Sequence, residues 1–274
     1  MNKQLSLLSV LIYAFGGGVC FAAVVPDVPD ERDASDEKGA YVGLFGGFGA
    51  ASSTGLRQQG GFYLPGPLGT RVNVDANGEA GAGHVALGGI QAGYEWNRLP
   101  VGPSKWDLKP AVELEGIYIG EHSVAGALPI TPGILGTQYV ALPMTTSVLL
   151  ANAVVTFQTP YSGKIFPYLG VGAGVARVSV EDAESANPNE PGINHFDSNP
   201  DASDSAFAMQ FKAGLKGEVA KNIFLFSEYR YLSINSTHYT FGETLPPHLP
   251  TDPWDVSLGR QAYNLFVAGL RYKF

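Results

Sequence analysis

The sequence predicts an all-β fold, an eight-stranded antiparallel up-and-down transmembrane β-barrel with four long extracellular loops. Three observations lead there. Eight segments have strand character: 40–50, 84–95, 109–119, 148–158, 166–179, 206–219, 223–234 and 263–274. The connections between them vary in length, those at 51–83, 120–147, 180–205 and 235–262 being long and those at 96–108, 159–165 and 220–222 shorter. Short turns at one end, long loops at the other and an even strand number are the habit of a closed membrane barrel. The third observation is that strands with clean alternation carry charge on one face and apolar or aromatic residues on the other, as required when the outside meets lipid and the inside does not.

Before the first strand, the stretch "MNKQLSLLSVLIYAFGGGVCFA" joins Lys3 to an apolar run and ends on small residues, so residues 1–22 read as a secretory signal peptide. Val19 stands before Cys20 where lipid attachment needs a small residue, so a lipoprotein is not expected. No other cysteine follows, and stability must come from burial or from a membrane. Residues 23–39, rich in Pro and Asp, read as an acidic disordered periplasmic lead-in, and the barrel domain as 40–274. Beyond the leader, nothing approaches the ~18 consecutive apolar residues of a membrane helix. The net charge of −8, one unit more negative once Lys3 leaves, argues against a nucleic-acid partner.

The first and fifth segments, "AYVGLFGGFGA" and "FPYLGVGAGVARVSV", are apolar on both faces, and their glycines read as room for a crowded lumen. The third, "KPAVELEGIYIG", sets Glu113 and Glu115 against Val112, Leu114 and Tyr118, with an expected slip of the alternation at Gly116. The sixth sets Gln210, Lys212, Lys216 and Glu218 against Met209, Phe211, Leu215 and Val219. The seventh opposes Glu228 and Arg230 to Leu225, Tyr229 and Tyr231. In the eighth, Phe266, Leu270, Tyr272 and Phe274 face away from Arg271 and Lys273. These patterns predict a lumen ion-pair network of Glu113, Glu115, Lys212, Lys216, Glu218, Glu228, Arg230 and Arg271, nearly balanced in sign, in a barrel too narrow for a wide channel. They also place Phe266, Leu270, Tyr272 and Phe274 on the lipid face of the strand that closes the barrel.

The leader, "PYLGVGAGVA" (167–176), "FSEYRYLSI" (226–234) and the terminal "AGLRYKF" (268–274) resemble the small outer-membrane β-barrel surface proteins of Gram-negative bacteria, the OmpA-like and Opa-like porin family. The resemblance covers about 40–274 and rests most on the Glu-Tyr-Arg-Tyr strand and the aromatic terminus. It implies residence in the cell outer membrane among lipid and lipopolysaccharide. It also implies that Phe274 belongs to the signal read by the barrel-assembly machinery. No peptidoglycan-binding domain is expected after the barrel, so a wall-tethering role is not expected either.

The long connections carry the remaining chemistry. Segment 180–205 holds Glu181, Asp182, Glu184, Glu190, Asp197, Asp201 and Asp204 with no Lys or Arg, and reads as a solvated, mobile acidic loop. Its "DSNPD" places Asp197, Asn199 and Asp201 at calcium-loop spacing, yet the Gly and distal Glu of that motif are missing. Phe62, Tyr63, Leu135 and Trp254 are the candidate contacts for an envelope or host partner. Catalysis needs a nucleophile, a base and a group orienting the base. His238 with Ser236 or Thr237, and His195 with Asp197 and Ser198, do not form that pattern, so no catalytic residues are expected. The histidines are scattered, so neither a metal site nor a cofactor is expected. The function expected is a structural and surface-interaction protein, with a narrow porin-like channel as the alternative and a lipid A-modifying enzyme behind it.

Overall fold

The computed structural model describes residues 14–15, 18–19, 38–66, 69–81, 83–101, 106–158 and 165–274. The chain divides into the units Met1–Asp33 and Ala34–Phe274. In the first, Ala14–Phe15 pairs antiparallel with Gly18–Val19. The expected leader and lead-in otherwise fall almost entirely outside the described residues.

The second unit is a ring of eight antiparallel strands: β1 (Gly39–Ala51), β2 (His84–Glu95), β3 (Asp107–Thr131), β4 (Thr137–Gln158), β5 (Ile165–Val180), β6 (Ala202–Ala220), β7 (Ile223–Ile234) and β8 (Gln261–Lys273). Each pairs with its neighbour in the chain, and β8 closes on β1 from Tyr263 opposite Ala51 to Lys273 opposite Tyr41. Closure leaves no open sheet edge in the ring, which is what permits a sheet to stand in lipid. Among the described residues no helix is long and apolar enough to cross a membrane.

Toward the short turns, the outside of the ring is apolar. Leu44, Phe48, Ile90, Leu114, Leu149, Val171, Met209, Phe211, Leu225, Phe266 and Leu270 are all exposed there. Trp96, Trp106, Tyr272 and Phe274 are exposed at the short-turn rim, an aromatic belt of the kind that marks a membrane interface. The facing of β1, open from sequence, is settled: Tyr41 and Phe45 point inward, Val42, Leu44 and Phe48 outward. A Cβ at Gly93 would lie 2.5 Å from the Tyr41 ring and one at Gly89 2.4 Å from the Phe45 ring, so those two glycines give the lumen aromatics their space.

The expected slip at Gly116 does not occur. Alternation on β3 runs on through Ile117 and Ile119, and the register irregularity lies between Ile119 and His122. Gly116 misled because the inward residues turn from charged to apolar just there.

The four long connections each contribute strand to a folded head rather than standing as free loops. β3 and β4 continue past the ring as one long hairpin. Strands Thr54–Tyr63 and Arg71–Ala80 pair with each other, and the second also joins the end of β3. Trp254–Leu258 adds to Thr54–Tyr63, Thr237–Phe241 adds to Trp254–Leu258, and Glu184–Ala186 adds to β4. This head has its own apolar interior, including Leu56, Val74, Leu128, Ile130, Val140, Leu142, Phe196, Phe241 and Trp254. Full burial of such a side chain contributes about 1.5–3 kcal/mol, and these nine form a core for the head separate from that of the ring. Segment 180–205, expected to be mobile, is part of that interior: Phe196 is fully buried and stacks on Phe241 at 4.4 Å. Its backbone is tied down by His195 N–H to Ser185 O, Ser198 N–H to Glu243 O and Gly242 N–H to Asn199 O. Glu181, Asp182, Glu184, Asp197 and Asp201 still face water, which is why composition alone suggested a free loop.

Candidate functional site

Among the described residues, two interior places gather polar side chains: the lumen of the ring and a pocket in the head. In the lumen, Lys212 Nζ pairs with Glu113 and lies 2.9 Å from Glu115 Oε1. Arg230 pairs with Glu228 and sits 2.9 Å from Glu115 Oε1, while Arg271 reaches Glu113 Oε2 at 3.0 Å. Neutral groups complete the coordination. Tyr41 donates to Glu113 at 2.9 Å, Tyr168 to Glu228 at 2.6 Å and Asn152 to Glu115 at 3.0 Å, and Gln210 also donates to Glu115. The Arg230 guanidinium lies 4.2 Å over the Phe45 ring and that of Arg271 3.9 Å over Tyr41, so aromatic faces take up what carboxylates do not.

A second layer lies nearer the short turns. There Glu95 meets Lys216, Lys273 at 2.9 Å and Lys109 at 3.5 Å. Glu95, Lys109 and Lys273 were outside the expected network, since the first two stand at strand ends where a boundary can slip by a residue or two. Glu218 leaves the network. It sits at a bulge between Glu218 and Ala220, half-buried, and its Oε1 accepts from the N–H of Asn222 in the tight turn. Among the described residues four carboxylates therefore face six cationic side chains, so the expected balance of signs gives way to an excess of positive charge near the short-turn end. Above this network Ile117, Leu150, Leu232 and Leu265 close the interior with apolar side chains.

In the head, a cavity of about 230 Å³ is walled by Phe62, Val74, Ile130, Leu135, Leu249 and Trp254, with Ile134 exposed at its edge. Trp254, expected at the surface as a contact residue, is instead buried, its ring edge-on to His195 and its indole N–H donating to Thr244 Oγ1 at 3.1 Å. Alternation along Trp254–Leu258 explains this, because a strand with a core behind it sends every second residue inward. Phe62 and Leu135 are half-buried walls of the same cavity. Tyr63 is half-buried and donates to Asp252 at 2.8 Å.

The polar side of the cavity joins three residues that no spacing in the sequence connects. His195 Nε2 lies 3.1 Å from Glu190 Oε2, and His248 Nε2 lies 3.2 Å from Glu190 Oε1. Behind them, Gln138 and Ser185 contact each other at 2.7 Å, and Ser185 donates to Gln58 at 2.8 Å. His195 thus meets neither Asp197 nor Ser198, both of which are exposed. His238 pairs with Ser257 at 2.9 Å rather than with Ser236 or Thr237, on the solvent face of the head. On that face the Arg57 guanidinium hydrogen-bonds Asp75 at 2.9 Å and holds its carboxyl below the usual range, and the Tyr63 hydroxyl, with Arg71, does the same for Asp252. Inside the head, burial pushes the Tyr239 hydroxyl up to about 12.

The family described as "Outer membrane protein beta-barrel domain" matches residues 18–274. The sequence matches none of the curated proteins it was compared with. Among solved structures the chain is similar to Neisserial surface protein A, with 17% identity over 86% of this chain and 97% of that one, TM-score 0.38. It is similar to OprG from Pseudomonas aeruginosa, with 14% identity over 88% and 99%, TM-score 0.45. It is also similar to Ail of Yersinia pestis in complex with the heparin analogue sucrose octasulfate, with 13% identity over 86% and 99%, TM-score 0.29. It is the family match, not these distant likenesses, that fixes what kind of protein this is.

Proposed function

The chain belongs to the outer-membrane β-barrel domain family and resides in the outer membrane, and from that premise we propose that it is a surface protein whose ring is a closed anchor and whose head meets partners. The observation that carries this reading is the filled lumen. The side chains of Glu113, Glu115, Lys212 and Arg230 are wholly buried in mutual contact, and an apolar layer lies above them. An ion crossing such a ring would have to break several charge-assisted pairs in a confined space, where a buried charge left without its partner costs about 3–5 kcal/mol.

The short turns and the aromatic rim then lie on the periplasmic side, where the terminal Tyr272 and Phe274, edge-on at 5.1 Å, serve closure and recognition by the assembly machinery. The head stands outward, away from lipopolysaccharide, with Glu181, Asp182, Glu184, Asp197 and Asp201 exposed on it. That acidic surface suits a cationic partner or one bridged by divalent ions.

Planar-bilayer recording of the purified protein tests the reading. A closed anchor gives no discrete conductance steps. Steady single-channel steps that scale with salt would replace it with a narrow channel for ions or small solutes.

A further inference from the structure

We propose that Glu190, His195 and His248 form a site for a divalent transition-metal ion, Zn²⁺ or a cation of similar preference, at the mouth of the head cavity. Their ligating atoms all lie within 4.8 Å of one another. The argument rests on which nitrogen of each imidazole carries the proton. His195 Nδ1 lies 2.8 Å from the Ser185 carbonyl and His248 Nδ1 2.6 Å from the Leu249 carbonyl. A backbone carbonyl can only accept, so each Nδ1 donates, and in the neutral ring the lone pair is left on Nε2. Gln138 Nε2 also sits 2.9 Å from His195 Nδ1. With Nδ1 donating, the Gln138 amide takes the opposite orientation, its Oε1 accepting from Ser185 Oγ, and the Gln58 amide turns with it to donate to that hydroxyl, a reassignment of amide ends that leaves every heavy atom in place.

Both Nε2 atoms therefore aim lone pairs at one carboxylate, at 3.1 and 3.2 Å. Acceptors facing acceptors repel, and a cation between them turns the repulsion into coordination. The spacing fits: metal bonds of about 2.0–2.1 Å at tetrahedral angles put neighbouring ligand atoms about 3.3 Å apart. Imidazoles fixed through Nδ1 to a carbonyl are the usual outer support of such a site. Two nitrogen ligands favour Zn²⁺, Ni²⁺ or Co²⁺ over Ca²⁺ or Mg²⁺, which take oxygen.

The surroundings are built to hold the geometry. His195 is buried against the Trp254 ring at 5.7 Å, and the two imidazoles meet edge to face at 5.3 Å. Glu190 keeps 38% of its side chain exposed, so an ion can enter from solvent, and further coordination positions open toward the cavity. A bound ion would also tie the acidic segment to the connection that carries His248, 58 residues from Glu190.

The test uses the full chain, without an affinity tag, refolded in detergent and stripped with chelator. Zn²⁺ alone is titrated calorimetrically, and Co²⁺ is followed by its visible absorption. The expected result is one equivalent of Zn²⁺ bound and a Co²⁺ spectrum of low symmetry. His248→Gln should weaken binding by more than the about 10–100-fold that loss of an outer-shell partner costs, and Glu190→Gln by less than His248→Gln. An unchanged gel shift on heating shows that the ring of each variant is closed, and protease resistance of segment 180–205 equal to that of the wild type shows that its head is folded. Absence of stoichiometric binding by the wild type overturns the proposal, in which case the cluster is a carboxylate paired with protonated imidazoles. So does binding that persists undiminished in His195→Gln/His248→Gln. The outcome is independent of whether the ring conducts.

Discussion

Along β3 two halves of one strand obey opposite rules. From Lys109 to Glu115 its inward side chains are mainly charged, and its outward ones are Val112 and Leu114, with Tyr118 above them. Past the irregularity at Ile119/His122 the inward side chains are Val124, Leu128 and Ile130, and the outward ones Ser123, Ala125, Ala127, Pro129 and Thr131. Pairing with β4 runs through both halves, so backbone hydrogen bonding does not distinguish them. What changes is the solvent outside. Lipid rewards an apolar exterior and leaves the interior free to hold charge, provided that charge is paired. Water reverses the demand, and the head packs like a soluble sandwich on the rim of a membrane barrel. An alternating strand thus states which residues share a face, and only the surrounding medium says which face is inside.

Substitutions in the two tiers should therefore fail in different ways. The largest effect is expected for Arg230→Ala, which leaves Glu228 and Glu115 buried without their guanidinium and should cost about 3–5 kcal/mol. Urea unfolding of the protein in lipid vesicles, read by loss of the gel shift, measures it; an unchanged midpoint would mean that the network does not hold the ring. Phe196→Ala removes a similar amount, about 3–5 kcal/mol, from the head core. Its reach should be local, with new protease cuts in 180–205 while the gel shift persists. Next comes a matched pair on the outer face of β3. Leu114→Lys should cost about 2–4 kcal/mol in lipid, whereas Ser123→Lys should stay within about 0.5 kcal/mol. Equal costs would erase the boundary between the tiers. The smallest effect is on pH. Because the carboxyls of Asp75 and Asp252 titrate below the usual range in the folded head, the stability they add is complete above about pH 4 and fades only as pH falls through their folded values. Both pairs are largely exposed, so protease protection of the head should stay flat from neutral pH to that point and decline gently below it.

The ring was largely legible in the sequence. Glu113, Glu115, Glu228, Arg230 and Arg271 stand one residue away from lipid-facing aromatics or aliphatics, and the period of two makes their common face plain. The network's lower layer was harder to see, because Glu95 and Lys109 lie at strand ends, although Lys273 already stood on the inward face with Arg271, and Glu218 was misplaced because a bulge turns it aside. The head was not legible as a folded body. Its strands Thr237–Phe241 and Trp254–Leu258 are five residues each, set among Pro and Gly, and their partners are far away in the chain. Trp254 looked exposed for that reason. The Glu190, His195 and His248 cluster had no local signature at all, since its members meet only when two connections fold over one pocket.

The most direct test of the two-tier account is accessibility along β3 in lipid bilayers, with single cysteines carrying a spin label at positions 112 to 130. Cys20, the chain's one cysteine, is replaced first. Labels at 112, 114 and 118 should be relaxed by oxygen dissolved in the bilayer, and labels at 121, 123, 125 and 127 by a water-soluble nickel complex. Labels at 113, 115, 124, 128 and 130 should be shielded from both. Relaxation by the nickel complex at 113 or 115 would mean a water-filled lumen, and oxygen relaxation continuing past 121 would mean that lipid, not water, surrounds the head; either contradicts the account.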